Sequence, residues 1–210
     1  MRIGVIGAGN VGGTLGTAWV KAGHEVMFGV PNPTSPKMLE LLNKTSGRAR
    51  AGSVAAAAAH GEVVAFATPW SSTQDAIRQA GDLSGKTILD CTNPLTDDLS
   101  GLTIGHTNSG GEQLAAWTRS KRVVKIFNTT GFENMAQPSY GDTAITMLFA
   151  GDDAAAKTVA AQLARDIGFD PVDAGPLANA RALEPMAFLW IYLAIMKGHG
   201  TSFAFQILRR

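Results

Sequence analysis

The chain has 210 residues, and 18 Lys+Arg against 17 Asp+Glu leave a net charge of +1. That length supports one domain, or one domain with a small appendage, and suffices to bury a core without disulfides or metals. The single cysteine, Cys91, excludes an intrachain disulfide, a multi-cysteine zinc site and an iron–sulfur cluster, and it suits a reducing compartment, with the cytoplasm as the expected location. No basic cluster is longer than Lys121-Arg122 or Arg209-Arg210, so no nucleic-acid partner is expected. The longest strongly apolar stretch, Met186 to Met196, falls short of the roughly 20 residues that span a bilayer. The opening MRIGVIG lacks the apolar run and cleavage site of a signal peptide, so a soluble protein with no membrane partner is expected.

In chain order the pattern predicts a strand over Arg2–Ile6, a helix over Val11–Ala22, a strand over Glu25–Gly29 and a helix over Pro36–Lys44. A strand over Arg50–Ser53 and a helix over Val54–His60 follow, then a strand over Glu62–Ala67, a helix over Ser72–Ala80 and a strand over Thr87–Asp90. Next come a helix over Glu112–Arg119, strands over Val123–Phe127 and Thr143–Ala150, a helix over Asp153–Ile167 and a strand over Asp170–Asp173. Alternation of short apolar runs with helical stretches is the mark of βαβ units, so the expected fold is α/β, doubly wound, with a mainly parallel sheet. From Gly175 onward the pattern becomes an almost continuous helix rich in large apolar side chains. The boundary therefore falls between a layered domain over 1–174 and a small C-terminal helical segment over 175–210.

Gly7-Ala8-Gly9-Asn10-Val11-Gly12-Gly13 matches G-x-G-x-x-G, and its context gives it weight: it follows a strand, opens a helix and precedes a return into a second strand. Gly7 permits the tight turn, Gly9 lets the backbone approach a pyrophosphate, and Gly12 lets helix and strand pack closely. The helix N-terminus then offers free N–H groups to the phosphates, which makes dinucleotide binding the strongest expectation. An NAD-specific loop places an acid at the end of the second strand to hold the ribose 2′-hydroxyl. Here that stretch is Phe28-Gly29-Val30-Pro31-Asn32, without an acid to repel a 2′-phosphate and without an arginine to grip one. Asn32, Thr34, Ser35 and Lys37 are the available partners, Lys37 being equally readable as an ordinary helix-start lysine. NADP is the expected cofactor, with NAD possible.

In a doubly wound sheet, ligands sit beyond the carboxyl ends of the strands. Three successive strands end in Thr68-Pro69-Trp70, Cys91-Thr92-Asn93-Pro94 and Asn128-Thr129-Thr130-Gly131. These loops supply rigid turns and neutral donors and acceptors, which suit a carboxamide ring and a ribose. Trp70 either lines the nicotinamide site or caps the core. For acid–base work only His106, His199, Lys197, Glu184 and Tyr140 stand out. Arg181 and Glu184 read as an i, i+3 helix pair, Lys197 as a snorkelling helix-end cation and His199 as a turn residue between Gly198 and Gly200. Such poverty suits hydride transfer to an acceptor that needs no strong acid. No metal site is expected.

Met1–Gly13, Thr68-Pro69-Trp70, Asn93-Pro94-Leu95, Asn128-Thr129 and above all Asp173-Ala174-Gly175-Pro176-Leu177 with Arg181 and Leu183-Glu184 resemble the NADPH-dependent F-420 reductase family. The resemblance covers essentially the whole chain. It implies a Rossmann-like domain holding NADP(H), a small C-terminal helical portion, and a cleft between them where a deazaflavin co-substrate stacks on the nicotinamide. By matching position it puts the pyrophosphate on Gly9, Asn10 and Val11, the nicotinamide near Thr68, Pro69, Trp70 and Asn128, and the second ring near Gly198–Ser202. One departure is Val30-Pro31, where the family carries a Ser/Thr-Arg pair. The expected function is hydride transfer between NADP(H) and a deazaflavin or flavin-like acceptor, by a homodimer formed through the apolar C-terminal helix, the alternative for Phe188–Met196 being burial within the same chain. The alternatives are an imine or keto reductase of the pyrroline-5-carboxylate reductase or 3-hydroxyacid dehydrogenase type, with Lys197 as the group to test, and a non-catalytic NADPH-binding redox sensor.

Overall fold

The computed structural model describes residues 1–208 and Arg210; Arg209, half of the second basic pair, lies outside the described residues. The first half of the chain alternates strand and helix: β1 (Arg2–Ile6), α1 (Asn10–Lys21), β2 (Glu25–Gly29), α2 (Pro36–Lys44), β3 (Arg50–Gly52), α3 (Val54–His60), β4 (Val63–Phe66), α4 (Trp70–Ala80) and β5 (Thr87–Asp90). The second half continues with α5 (Gly110–Thr118), β6 (Val123–Lys125), α6 (Phe132–Ala136), β7 (Ser139–Tyr140), β8 (Thr143–Ala144), β9 (Thr146–Gly151), α7 (Ala154–Asp166), β10 (Asp170–Asp173) and α8 (Ala180–Ile191).

Eight strands form one sheet in the order β10-β9-β6-β5-β4-β1-β2-β3, and β7 and β8 make a separate hairpin. The six strands from β3 to β6 run parallel, whereas β9 is antiparallel to β6 and carries β10 parallel to itself. The chain winds outward in both directions from β1, with β2 on one side and β4 on the other. That reversal opens the ligand crevice of a Rossmann-like sheet at the carboxyl ends of β1 and β4.

Helices cover both faces, so the central strands are apolar almost throughout. Ile3 and Val5 of β1 face one core with Leu15, Trp19, Ala160 and Leu163 from α1 and α7. Ile6 faces the other, with Ala57, Phe66, Ile77 and Leu114 from the α3, α4 and α5 side.

The expected strand over Thr143–Ala150 divides at Ile145, which lends its N–H to Pro138 and its carbonyl to Asp170, so that β8 joins a hairpin and β9 the sheet. The expected strand over Val123–Phe127 stops at Lys125, because Phe127 takes φ = 60° and leaves the extended region. Beyond Gly175 the near-continuous helix is replaced by a 3-10 turn at Leu177–Asn179, α8, a π-helical turn at Tyr192–Met196 and an irregular tail. Gly198 and Gly200, with φ of 71° and 73°, end the helical geometry. The tail then folds back: the Phe203 carbonyl accepts from Asn134 Nδ2 at 2.7 Å and from Trp190 Nε1 at 2.9 Å, and Ile207 N–H donates to Thr146 Oγ1 at 3.1 Å.

Candidate functional site

Gly7 ends β1 with φ = 98°, and its N–H donates to Gly29 O at 3.0 Å, tying the ends of β1 and β2 together. A Cβ on Gly12 would stand 2.0 Å from Gly7 O, so only glycine lets α1 start this close to the strand. Gly9 is exposed, and a Cβ there would meet nothing within 4 Å. It N-caps α1 without a side-chain hydrogen bond, and the first turn carries no acid. Asn10 beside it is exposed, and Val11 packs inward on the core. The helices α2, α3, α5 and α7 are capped by Ser35, Ser53, Ser109 and Asp153, whereas α1, α4 and α6, which follow β1, β4 and β6 within a few residues, have no side-chain cap. The free N–H groups of uncapped helix starts thus gather at the carboxyl edge of the sheet. The open side of Gly9 and the uncapped start of α1 fit a dinucleotide pyrophosphate.

At the end of β2, Val30 is half-buried with its N–H on Gly52 O at 3.1 Å, while Pro31 and Asn32 are exposed. Asn32 Oδ1 accepts from both the backbone and the hydroxyl of Thr34, at 3.3 and 3.2 Å. Lys37 projects from the first turn of α2 and, with Gly9 and Asn10, lines a groove of about 750 Å³ along the outer side of α1. Val30, Pro31 and Asn32 lie outside that lining.

The loops after β4, β5 and β6 are brought side by side. Thr68 Oγ1 pairs with Thr73 Oγ1 at 2.9 Å, and Pro69 starts α4. The Trp70 indole stacks on Trp117 with centroids 5.1 Å apart, so its ring is engaged in the seam between α4 and α5. Asn93 and Asn128 meet: Asn128 Nδ2 donates to Asn93 Oδ1 at 3.0 Å, and Asn93 Nδ2 to the Asn128 carbonyl at 3.1 Å. Asn128 Nδ2 also reaches Leu183 O at 3.2 Å, joining the sheet edge to α8. Its Oδ1 is buried without a partner, and the residue before it is the left-handed Phe127, fully buried. For a bulky residue that backbone is an outlier costing on the order of 1–3 kcal/mol, of the kind that collects at functional sites. Burial pushes the Cys91 thiol up, so it stays protonated and inert.

Under these loops lies a charge cluster that sequence reasoning missed. Lys125 Nζ lies 2.9 Å from Asp90 Oδ2, 2.8 Å from Glu184 Oε1 and 2.6 Å from Thr92 O, and none of the three charged side chains is more than 1% exposed. Burial disfavours the Lys125 ammonium, but Asp90 and Glu184 outweigh that and hold it above its ordinary range. The expected Arg181–Glu184 helix pair is not formed. Glu184 instead accepts from the N–H groups of Gly110 and Gly111 at 2.9 and 3.0 Å, and Arg181 forks onto Glu112 at 2.6 and 2.9 Å. Both residues face α5, whose N-terminal N–H groups and first-turn carboxylate are better partners than a neighbour along the same helix. A lysine inside the run Val123-Val124-Lys125-Ile126-Phe127 was the available signal, since a charge in a strand buried on both faces must be paired.

The remaining candidates stay apart from the amide pair. His106 is exposed in a left-handed turn with φ = 60°, and Tyr140 donates its hydroxyl to Asn134 Oδ1 at 2.9 Å. Lys197 sits 5.7 Å above the Tyr192 ring, and His199 is exposed between its two glycines. Among the described residues no group of three or more His, Cys, Asp or Glu could hold a metal, and no helix is long and apolar enough to cross a membrane.

The model of the family "NADP oxidoreductase coenzyme F420-dependent" matches residues 2–94. A solved structure from Arthrobacter sp. FB24, described as a candidate F420-dependent NADP reductase, is 32% identical, with each chain covering 100% of the other and a TM-score of 0.88. A reductive aminase from Aspergillus terreus, solved with NADPH, shares the fold at 19% identity and a TM-score of 0.66, over 94% of this chain and 63% of its own. The metalloreductase STEAP3 of Rattus norvegicus is 30% identical over 186 residues, which is 87% of this chain and 36% of STEAP3, so the chain spans about a third of that relative. The family match and the Arthrobacter relative place the chain among NAD(P)H-dependent oxidoreductases. Within that class, the chain belongs to the coenzyme F420-dependent NADP oxidoreductase family.

Proposed function

We propose that the protein transfers hydride between NADP(H) and a deazaflavin acceptor, coenzyme F420, or a flavin-like analogue of it. In this reading Gly7, Gly9, Asn10, Val11 and Gly12 hold the pyrophosphate, Val30, Pro31, Asn32 and Lys37 face the ribose 2′ end, and Thr68, Pro69, Trp70, Asn93 and Asn128 surround the nicotinamide. Residues 1–174 form the nucleotide-binding unit and 175–210 complete the acceptor site near Gly198–Ser202. The working form is a cytoplasmic homodimer.

The observation that carries the reading is the neutral rim of the crevice: the Asn93–Asn128 amide pair joins the cofactor edge to α8, and the one acid–base candidate near it, Glu184, is buried and paired with Lys125 and the α5 N–H groups. Reduction of a deazaflavin by NADPH takes one hydride from the cofactor and one proton from solvent, so the protein needs to bind, orient and exclude water, without a dedicated acid. An imine reductase needs a proton donor at the substrate nitrogen, and Lys197, the candidate for that role, lies 5.7 Å over the Tyr192 ring.

Anaerobic oxidation of NADPH and NADH by the purified protein, run with coenzyme F420, FMN and pyrroline-5-carboxylate, tests the proposal. Fast turnover with F420, unaffected by Lys197→Met, is the expected result. Turnover confined to pyrroline-5-carboxylate and abolished by Lys197→Met would establish the imine reductase, and tight NADPH binding without turnover would establish the sensor. The ratio of NADPH to NADH rates reports how far Lys37 replaces the missing arginine.

A further inference from the structure

We propose that Lys125 and Glu184 are positioning residues, and that the buried Asp90–Lys125–Glu184 network fixes α8 at the height where Leu183 O orients the Asn128 carboxamide. The inference rests on the nicotinamide end lying at β4–β6, as proposed above.

The network is complete in itself. The three donors of the Lys125 ammonium meet Asp90, Glu184 and Thr92 O, the second Asp90 oxygen accepts the N–H and hydroxyl of Thr92 at 2.9 and 2.7 Å, and Glu184 accepts two backbone N–H groups of α5. A buried ion network is a weak source of stability, because desolvation of each charge offsets most of the attraction and apolar replacements of similar volume are often neutral or better. What such a network does supply is one position. Asp90 ends β5, Lys125 ends β6 and Glu184 belongs to α8, so the C-terminal segment can sit on the sheet edge in only one register while all three remain paired.

That register is read out one residue away. Leu183, adjacent to Glu184, presents its carbonyl to Asn128 Nδ2, which also donates to Asn93 Oδ1. Asn128 is held against two local costs, the left-handed Phe127 before it and its own unpartnered buried Oδ1, so without an outside anchor the amide would relax. The exposed Arg181–Glu112 fork anchors α8 to α5 without touching Asn128, and so separates loosening the helix from releasing the amide.

Two variants test this: Glu184→Gln, and the neutral triple variant Asp90→Asn/Lys125→Met/Glu184→Gln, each with Arg181→Ala as control. The first readout needs no substrate. The Asn128 side-chain NH2 signal in a ¹H–¹⁵N spectrum, assigned by its loss in Asn128→Ala, exchanges slowly in the wild type and in Arg181→Ala, and is shifted and fast-exchanging in both network variants. The second readout uses NADPH and coenzyme F420. Kd for NADPH, measured by its fluorescence, stays within about twofold, while kcat falls roughly tenfold to a hundredfold, the scale of an ångström-size misplacement. In an Asn128→Ala background the same network substitutions lower kcat no further. An unmoved amide signal, or additive losses in the double variants, would overturn the proposal. So would loss of cooperative unfolding in both network variants, which would make the cluster a stability element. If the wild type does not turn over F420, the function proposed above fails while the amide signal still decides the positioning role.

Discussion

Gly9 and Gly12 stand three residues apart, at the N-cap and in the first turn of α1, and meet opposite surroundings: open space above Gly9, and the Gly7 carbonyl 2.0 Å from any Cβ on Gly12. Gly9→Ala should therefore leave the thermal midpoint unchanged and weaken NADPH binding tenfold or more, because the new methyl would stand at the proposed pyrophosphate site. Gly12→Ala should lower both, at a stability cost of about 1–3 kcal/mol for a forced shift of backbone against backbone. A thermal melt and a fluorescence titration on the two variants separate them, and equal binding by Gly9→Ala and wild type would remove the pyrophosphate from this loop. Gly7 and Gly12 were legible because each answers a local steric demand, whereas Gly9 was legible only through the spacing of the motif. Phe127 was not legible, since nothing in the string Lys125-Ile126-Phe127-Asn128 announces a left-handed aromatic; that backbone is imposed by the surrounding core and by the Asn93–Asn128 pairing.

Among the elements, α8 carries information that its own sequence conceals. Helical spacing puts Arg181 and Glu184 on one face, which reads as a mutual pair until α5 is packed against that face. Strands fared better, because apolar runs between turn residues define them locally, whereas the two-residue β7 and β8, paired across Gly141-Asp142, and the five-residue α6 are too short to show a period. The Arg181 fork holds the Glu112 carboxyl below its ordinary range, with a smaller contribution from Ser109. A carboxyl lowered in the folded state stabilises above its unfolded pKa, and the contribution disappears as pH falls through the folded value. Arg181→Ala should thus cost about 0.5–1 kcal/mol near pH 7, as exposed forks do. The gap between variant and wild type should close in acid, which urea midpoints at neutral pH and near pH 3 would detect. A gap that persists at low pH would show that the guanidinium acts through packing.

At the scale of the whole molecule, the C-terminal segment carries both the exposed apolar stripe and the proposed acceptor site. Leu189, Tyr192, Ile195 and Met196 leave 48%, 37%, 56% and 56% of their surfaces exposed at successive helical positions, an apolar stripe of the kind that a second copy of the chain covers in a two-fold dimer. Ile195→Glu should convert a sedimenting dimer to monomer, and a wild type that sediments as a monomer would leave the stripe without that role. The doubly wound, mainly parallel sheet was readable from the alternation of strands and helices, since βαβ connection rules leave few topologies, whereas the strand order and the antiparallel β9 were not. The path of the tail was not, because Gly198 and Gly200 permit many directions and the choice is made by Asn134, Trp190 and Thr146. The central claim, direct hydride passage between the two coenzymes, is tested most directly by label transfer. Anaerobic reaction of coenzyme F420 with NADPH deuterated at C4, run separately with each of the two C4 epimers, should place deuterium on the reduced deazaflavin ring from one epimer only, and reduced F420 free of label from both would contradict it.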